Sequence, residues 1–525
     1  MQNRFGRREF LRIGGAGALA ATSAVALGAC GSSSTSSTTT TSAASLKPKL
    51  GGTLHYGGTG GTDSDTLDAH NGLNQQDFSR LPLLYEPLVT IGANGKLEYV
   101  LAESITANAA ATEWTIKVRP DVLTHDGKPF GARDVLYSFT RIIKLKYPGT
   151  SSLGPIDLAA SKVADPLTLV VRFDKPFGLF LTFLQNFLFL YMVPVDYNPK
   201  HPIGTGPFKL QSFTPGVTST LVRNDHYWQT GLPYLDAVVS TDVAGETAQI
   251  DGLLAGQFDA ISYLSAASVA ALKSRSAFTV VISDTGGFLP FTMRVDEAPF
   301  SDVRVRQALR LVVDRPQMLL EVFENYGRIG NDMFGIVDPD FDHSLPQRVR
   351  DIPKAKSLLK AAGYPDLSVQ LITSALTGGV VQAAQVFASQ AAEAGVNVTV
   401  SQQDPTRYYA DSFLHAAFSQ DNWEYAPYLL AAAQETVSGA PFNECHFDDP
   451  EYNALYVKAY RSTDPAVQRD VVHAMQRIDY ERGGLVVPFF NPNIDAVGSY
   501  VKGDIANVTG FGLNAFDLRR FWLDK

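Results

Sequence analysis

The feature that most limits what this chain can fold into is its change of character around Cys30. Residues 1–29 run from a basic start, Arg4 to Arg12, into an apolar Gly/Ala-rich stretch, Ile13 to Ala29. After Cys30, the stretch Ser32 to Ser45 is wholly Ser, Thr and Ala. Neither piece belongs to a packed core: the first is built as a targeting peptide, and the second cannot bury enough apolar surface to offset the cost of ordering it. The body that folds therefore starts near residue 49. Cys445 is the only other cysteine. With Cys30 used as an attachment point no internal disulfide forms, and packing alone must hold the body together.

Two local motifs sharpen the reading of the N-terminus. Gly6-Arg7-Arg8-Glu9-Phe10-Leu11-Arg12 resembles the twin-arginine export signal, with Arg7 and Arg8 as the pair. Leu27-Gly28-Ala29-Cys30 resembles the bacterial lipobox, whose cysteine is acylated after cleavage. Small residues before the thiol suit cleavage, and only a thiol takes the thioether-linked lipid. The apolar run is too short and too weakly hydrophobic to span a membrane. The expectation is a removed signal peptide (1–29), a lipidated Cys30 with a flexible tether (30–48), and an extracytoplasmic body anchored to the cell membrane. The competing reading is an ordinary signal peptide with a chance cysteine. Cys445, in Asn443-Glu444-Cys445-His446-Phe447, has no C-x-x-C partner and reads as a small buried filler rather than a reactive thiol.

The body is large enough for more than one domain: 525 residues in all, 45% hydrophobic and 18% charged. Net charge is −9, and loss of Arg4, Arg7, Arg8 and Arg12 against Glu9 alone takes it to −12. With that field and no basic tract in the body, nucleic-acid partners are excluded.

Periodicity places strands and helices in alternation. Thr53 to Gly57 reads as a strand running into a Gly-rich loop, Gly57 to Asp63, where Gly58 and Thr59 let the backbone approach a ligand. A helical stretch carries Leu81, Leu83, Leu84 and Tyr85. Trp114 to Val118 alternates at period two, and Asp126-Gly127 before Pro129 predicts a hairpin turn. Ala132 to Phe139 is helical, Leu167 to Phe173 a strand after the Asp165-Pro166 turn, and Phe177 to Met192 a buried apolar helix. Ala248 to Leu254 is a helix stopped at Gly256. Phe288 to Val295 is extended. Asp302, Asp314 and Asp351 each cap a helix, with Pro316 in the first turn of the second and Gly363 ending the third. Leu367 to Thr373, Val380 to Ala394 and Val396 to Ser401 give strand, helix, strand. The class is α/β.

Enzymatic signatures are missing. There is no G-x-S-x-G, H-E-x-x-H, P-loop or paired C-x-x-C, and the single G-x-G-x-x-A match, Gly15 to Ala20, lies inside the export signal after no strand. The nine histidines are scattered without metal-ligand spacing. The chain is read as a non-enzyme with no cofactor and no metal site.

From Gly51 onward an ordered series of segments resembles the oligopeptide-, dipeptide- and nickel-binding proteins of binding-cassette (ABC) importers, solute-binding family 5. It runs through Gly51-Gly52-Thr53-Leu54, Asp65-Thr66-Leu67-Asp68, Leu84-Tyr85-Glu86-Pro87-Leu88, Leu101-Ala102-Glu103-Ser104, Trp114 to Arg119, Asp126 to Phe130, and Ala132 to Val135. It continues in Gly204 to Leu210, Asn224 to Trp228, Phe300 to Leu309 and Ala355 to Tyr364. The resemblance implies a two-lobe periplasmic-binding-protein-like fold with a cleft between lobes and two hinge crossings, one at Phe288 and Phe291, the other at Phe489 and Asn491. Lobe I would comprise 49–88, 204–288 and a C-terminal return, 490–525, with 89–203 as its extra subdomain; lobe II would be 289–489. The implied partners are a small peptide or peptide-like solute and ABC permease subunits, the protein itself acting as a monomer. A ligand sensor or adhesin on the same fold is the alternative.

In the dipeptide binders an aspartate after a Gly-Trp pair holds the ligand's ammonium, and an arginine in lobe II holds its carboxylate. The corresponding stretch here is Gln420-Asp421-Asn422-Trp423-Glu424-Tyr425-Ala426-Pro427, where Asp421 or Glu424 would serve, and Ser374 to Gly379 contains no cation. The expectation is a cleft lined by Asp421, Trp423, Glu424 and Tyr425, taking an amine-bearing or sugar-like solute rather than a dipeptide clamped at both ends. The competing assignment makes Tyr425, Pro427 and Tyr428 lobe II core. A chelated nickel ion would call on His415 and His446.

Overall fold

The computed structural model describes residues 47–525. The predicted signal peptide, Arg7, Arg8, Cys30 and most of the tether lie outside the described residues.

Two mixed sheets organise the body. The lobe I sheet has the strand order Phe208–Thr214, Thr218–Arg223, Ala237–Asp242, Thr53–Gly58, Ala260–Ile261, Phe489–Gly498, Phe278–Phe288. Thr53–Gly58 sits at its centre, parallel to Ala237–Asp242 in the register Thr53↔Ala237. Alternation turns Leu54 and Tyr56 into the core from one face of this strand, His55 lies exposed on the other, and the strand ends in two buried glycines. The lobe II sheet has the order Asn397–Gln403, Ser368–Ser374, Phe418–Gln420, Phe291–Met293, Leu485–Val486. Its core is filled by Val305, Leu309, Met318, Leu359 and Phe387 from the covering helices. Those helices begin where the sequence places their caps: Asp302, Asp314 and Asp351 accept hydrogen bonds from the N–H groups of Arg304, Gln317 and Lys354. Each cap is worth about 1 kcal/mol.

The two sheets are joined by short links that lie side by side. Phe278–Phe288 passes through Leu289-Pro290 into Phe291–Met293, and Leu485–Val486 passes through Val487-Pro488 into Phe489–Gly498. Phe288 pairs with Phe490 on the lobe I side and Phe291 with Val486 on the lobe II side. A further two-residue strand, Arg328–Ile329, leaves the lobe II stretch to pair with Phe489 and Phe490.

A third sheet, antiparallel throughout, contains Ala102–Ala107, Glu113–Val118, Thr168–Phe173 and Ile156–Asp165 in that order. The helix Ala132–Leu145 lays Val135, Phe139 and Ile142 on it. Its core runs on into the lobe II helices Pro450–Arg461 and Pro465–Arg482: Gly178 donates its N–H to the Tyr460 carbonyl at 2.7 Å, and the Phe177 and Tyr460 rings lie 4.8 Å apart.

Two local expectations fail. Phe177 to Met192 is not one helix; it breaks into Phe180–Phe183, a 3₁₀ turn Phe187–Phe189 and the strand Tyr191–Met192. A run apolar on every side has no preferred face, so its rings serve different surfaces: Phe177, Phe180 and Phe183 pack on the small sheet, whereas Phe187 and Phe189 turn toward the lobe interface. The Asp126-Gly127 turn exists, with Gly127 at φ +80, but it closes only an isolated bridge between Leu123 and Pro129. The strand Glu113–Val118 pairs instead with Ala102–Ala107 and Thr168–Phe173, because its apolar face needs neighbours on both edges.

Candidate functional site

The segment Phe418 to Pro427 links the two lobes. Its first part is a lobe II strand, paired antiparallel with Phe291–Met293. Trp423 then exchanges hydrogen bonds with Phe288: each N–H donates to the other's carbonyl at 2.9 Å. The first crossing is thus clamped by the segment expected to bind ligand.

Alternation past that clamp sends neighbouring side chains in different directions. Asp421 is fully buried on the lobe II side, where it accepts from the Asn422 N–H at 2.8 Å and stands 3.4 Å from the Tyr409 hydroxyl. Glu424 faces lobe I: a methyl group placed on Gly510 would come within 2.3 Å of its Oε2, and one on Gly287 within 3.4 Å of the same atom. Tyr425 packs with Phe78, Ile91, Phe187, Phe189 and Phe511, which come from the helix Gln75–Leu84, the small subdomain and the C-terminal return. Tyr428 takes the competing role and is core: its ring stacks on Phe334 with centroids 4.6 Å apart, and its hydroxyl donates to Asp479 at 2.5 Å.

These contacts enclose a cavity lined on one side by Trp423, Glu424, Tyr425, Gln434 and Glu435 and on the other by Ile91, Gln185, Phe187 and Phe511. A second cavity adjoins it through Tyr425 and Gln185 and adds Asp338 and Asp340. Among the described residues no Lys, Arg or His lines either one. Four carboxylates and several aromatic faces therefore line this space, and Arg469 and His473 lie close enough to Asp340 to oppose part of the effect of its burial. Asp338 is pushed above the ordinary carboxylate range by burial, although it accepts the Tyr428 N–H at 2.7 Å. Asp340 is raised for the same reason.

The structure brings together Trp423, Glu424, Tyr425 and the crossing residues Phe288 and Asn491. It leaves Asp421 on the opposite side of the strand. Gly58 and Thr59 are not among the residues lining these cavities: Thr59 hydrogen-bonds Gln75 at 2.9 Å, and a side chain at Gly58 would strike Gln76 and Tyr56. Phe291 and Phe489 point into the lobe II core. His446 approaches Asp296 at 3.2 Å and the Leu414 carbonyl at 2.9 Å, and with His415 it lines a separate, open surface pocket. Among the described residues no group of three His, Cys, Asp or Glu side chains comes together as a metal site. Cys445 is buried, and burial pushes its thiol well up, so it is an inert filler.

Sequence reasoning missed Phe187, Phe511, Gly286, Asp338 and Asp340. The signal for one of them was present. Gly286-Gly287 interrupts a strand with no turn to explain it, and a methyl group on Gly286 would meet Tyr425 at 2.7 Å. The glycine pair is the notch into which the clamp segment fits.

Residues 96–444 match the family model for bacterial extracellular solute-binding proteins, family 5 (middle region). The glutathione-binding protein GsiB of Shigella dysenteriae is 24% identical over 488 residues, covering 87% of this chain and 93% of that one. The binding protein AgaA from A. tumefacien R10, solved with agropinic acid, superposes with a TM-score of 0.74 at 22% identity over 90% of this chain and 99% of its own. DppA from Helicobacter pylori, solved with the peptide STSA, gives a TM-score of 0.74 at 21% identity over 91% and 99%. Among the described residues no helix is long and apolar enough to cross a membrane. With a family model covering most of the folded body and the same fold recovered along nearly its full length, this chain belongs to the family 5 extracellular solute-binding proteins.

Proposed function

We propose that this protein captures a peptide or peptide-like solute bearing a free amine and delivers it to the permease of an ABC importer. The observation that carries the reading is the lining of the inter-lobe cavities: Glu424, Glu435, Asp338 and Asp340 beside aromatic rings. An ammonium group placed there gains charge-assisted hydrogen bonds in a low-dielectric space, and apolar side chains find Trp423, Tyr425 and Phe511. The stretch Ser374 to Gly379 offers nothing to clamp a carboxylate, so recognition rests on the amine end and on shape. The names of the relatives point the same way in part: one binds glutathione, one was solved with a peptide and one with agropinic acid.

Capture works by closure. Solute contacts made to both lobes favour the closed arrangement over the open one, and that difference is what a permease reads. Delivery from a tether follows from Cys30 and the Ser/Thr tract, with export through the twin-arginine signal; Cys30→Ser should release the protein from membranes. The protein acts as a monomer.

The test begins with native mass spectrometry of protein purified from its own host, to identify the retained solute. Calorimetry then compares that solute with its N-acetylated form on wild type and on Glu424→Gln. The expected result is at least a tenfold loss of affinity from either change and little further loss from both. Unchanged affinity on acetylation sinks the amine reading.

A further inference from the structure

A third cavity continues the two between the lobes. It meets the first at Ile91 and Phe187, which line both, and lies in lobe I between the small subdomain and the C-terminal return. At about 250 Å³ it is roomier than the other two, about 60 and 160 Å³. The three stand in file: Asp338 and Asp340 at one end, Trp423, Glu424 and Tyr425 in the middle, Arg519 and Arg520 at the other end.

The far end differs from the rest in what it offers a ligand. Tyr191 is 1% exposed, and its hydroxyl is buried with no hydrogen-bond partner. Burying a hydroxyl unpaired is costly, and a ligand in the cavity that Tyr191 lines would pair it. Arg519 uses Nε on Asp517 at 2.7 Å and Nη1 on the Tyr227 hydroxyl at 3.3 Å, and Nη2 serves no acceptor among the described residues. Arg520 is exposed and meets no carboxylate among them. The acids of this cavity do not compete for a ligand's donors. Glu86 already accepts from Tyr227, Trp228 and Thr205, Asp517 is taken up by Arg519, and Glu98 stands exposed on the outer hairpin. The wall is also strained: Leu513, Asn514, Ala515 and Phe516 are all left-handed, with φ from 49 to 56, and Asn514 and Ala515 line the cavity. Such backbone is kept where its surroundings impose it, and it gathers at ligand sites.

We propose that this lobe I cavity takes the carboxylate end of the solute, held by Arg519, Arg520 and the Tyr191 hydroxyl. The proposal rests on the amine-bearing solute inferred above and goes beyond it: the solute is a zwitterionic peptide laid along the file, its ammonium among the carboxylates and its carboxylate at the arginines. The anion that lobe II cannot clamp finds its donors in lobe I, through charge-assisted hydrogen bonds of the kind guanidinium groups make best.

The test uses the full chain freed of retained solute and a library of synthetic di- to pentapeptides, screened by native mass spectrometry. Members that bind are then measured by calorimetry with free ends, N-acetylated and C-amidated. Amidation should weaken binding to wild type by about tenfold or more. In Arg520→Gln and in Tyr191→Phe the free peptides should bind several-fold more weakly, and the amidated ones as they bind wild type. Tyr191→Phe should keep or raise the thermal midpoint of the solute-free protein, since the hydroxyl it removes has no partner there. Amidation without effect, or free peptides that bind both variants as tightly as wild type, overturns the carboxylate subsite and leaves the amine reading standing. Acetylation without effect beside a loss on amidation sinks the amine reading and supports the subsite. A library in which no member binds overturns both.

Discussion

Two buried acids, Asp332 in lobe II and Asp495 in lobe I, are held in opposite ways. In lobe II, Asp332 is met by two guanidinium groups: Arg315 Nη2 lies 2.7 Å from each of its oxygens and Arg348 Nε 2.7 Å from one. The Val487 N–H adds a bond at 3.1 Å. Burial alone would raise the Asp332 pKa, but Arg315, Arg348 and Arg310 overcome it and hold the carboxyl below its ordinary value. In lobe I, Asp495 is met only by N–H donors, from Leu513, Asn493 and the Tyr263 backbone, and burial raises it to about 7. The difference separates an acid that stays ionised against two arginines from one that burial inclines to keep its proton. The Asp332 cluster ties the stretch after Arg328–Ile329 to the second crossing, so it fixes how the links between lobes leave the lobe II core.

The largest effect follows from breaking the paired side. Asp332→Ala leaves two buried guanidinium groups without their carboxylate, and removal of one partner from a buried pair costs about 3–5 kcal/mol. Urea unfolding should show that loss in the midpoint at unchanged slope. A loss below about 1 kcal/mol would mean that the cluster is solvated in solution, and the contrast between the two acids would go with it.

The pH dependence of stability separates the two acids by sign. For Asp332 the folded pKa is below the unfolded one, so its contribution is present above about pH 4 and is lost as pH falls through the lower folded value. For Asp495 the folded pKa is above the unfolded one. The folded state keeps a proton that the unfolded chain gives up, so stability from this group is greatest below about pH 4 and is lost as pH rises toward 7. The loss is on the order of 3 kcal/mol. Unfolding at pH 5 and pH 7 should therefore differ less in Asp495→Asn than in wild type. Parallel pH profiles for the two proteins would show that Asp495 does not titrate in this window.

The same contrast explains what could be read from the sequence. Capped helices such as Val303–Leu311 and Ile352–Ala362 were legible because their signals are local: an Asp, a turn of helix, an apolar face. The Phe177 to Met192 region was not, because a run that is apolar on all sides says only that it is buried, not against what. At the candidate site, Trp423, Glu424 and Tyr425 were legible from their neighbourhood, but which acid faces the cleft depends on strand alternation after the Phe288 clamp. That is a tertiary fact, and it puts Asp421 and Glu424 on different sides. Gly58 and Thr59 show the converse. A glycine-rich loop after a strand signals close approach, and here the approaching group is the helix Gln75–Leu84 rather than the cleft.

The smallest expected effect sets the scale against which both buried acids are judged. Arg407 and Asp411 form an i,i+4 pair at 3.6 Å on the surface of lobe II, each about two-thirds exposed. Water and salt screen such a pair, and holding two long side chains in one geometry offsets most of what remains. Arg407→Ala should therefore shift stability by no more than about 0.5 kcal/mol, and by less still in high salt. A shift approaching that of Asp332→Ala would mean that charge in this lobe stabilises by long-range field rather than by burial and direct contact. The distinction between the arginine-paired Asp332 and the N–H-bonded Asp495 would then have to be restated in terms of net charge.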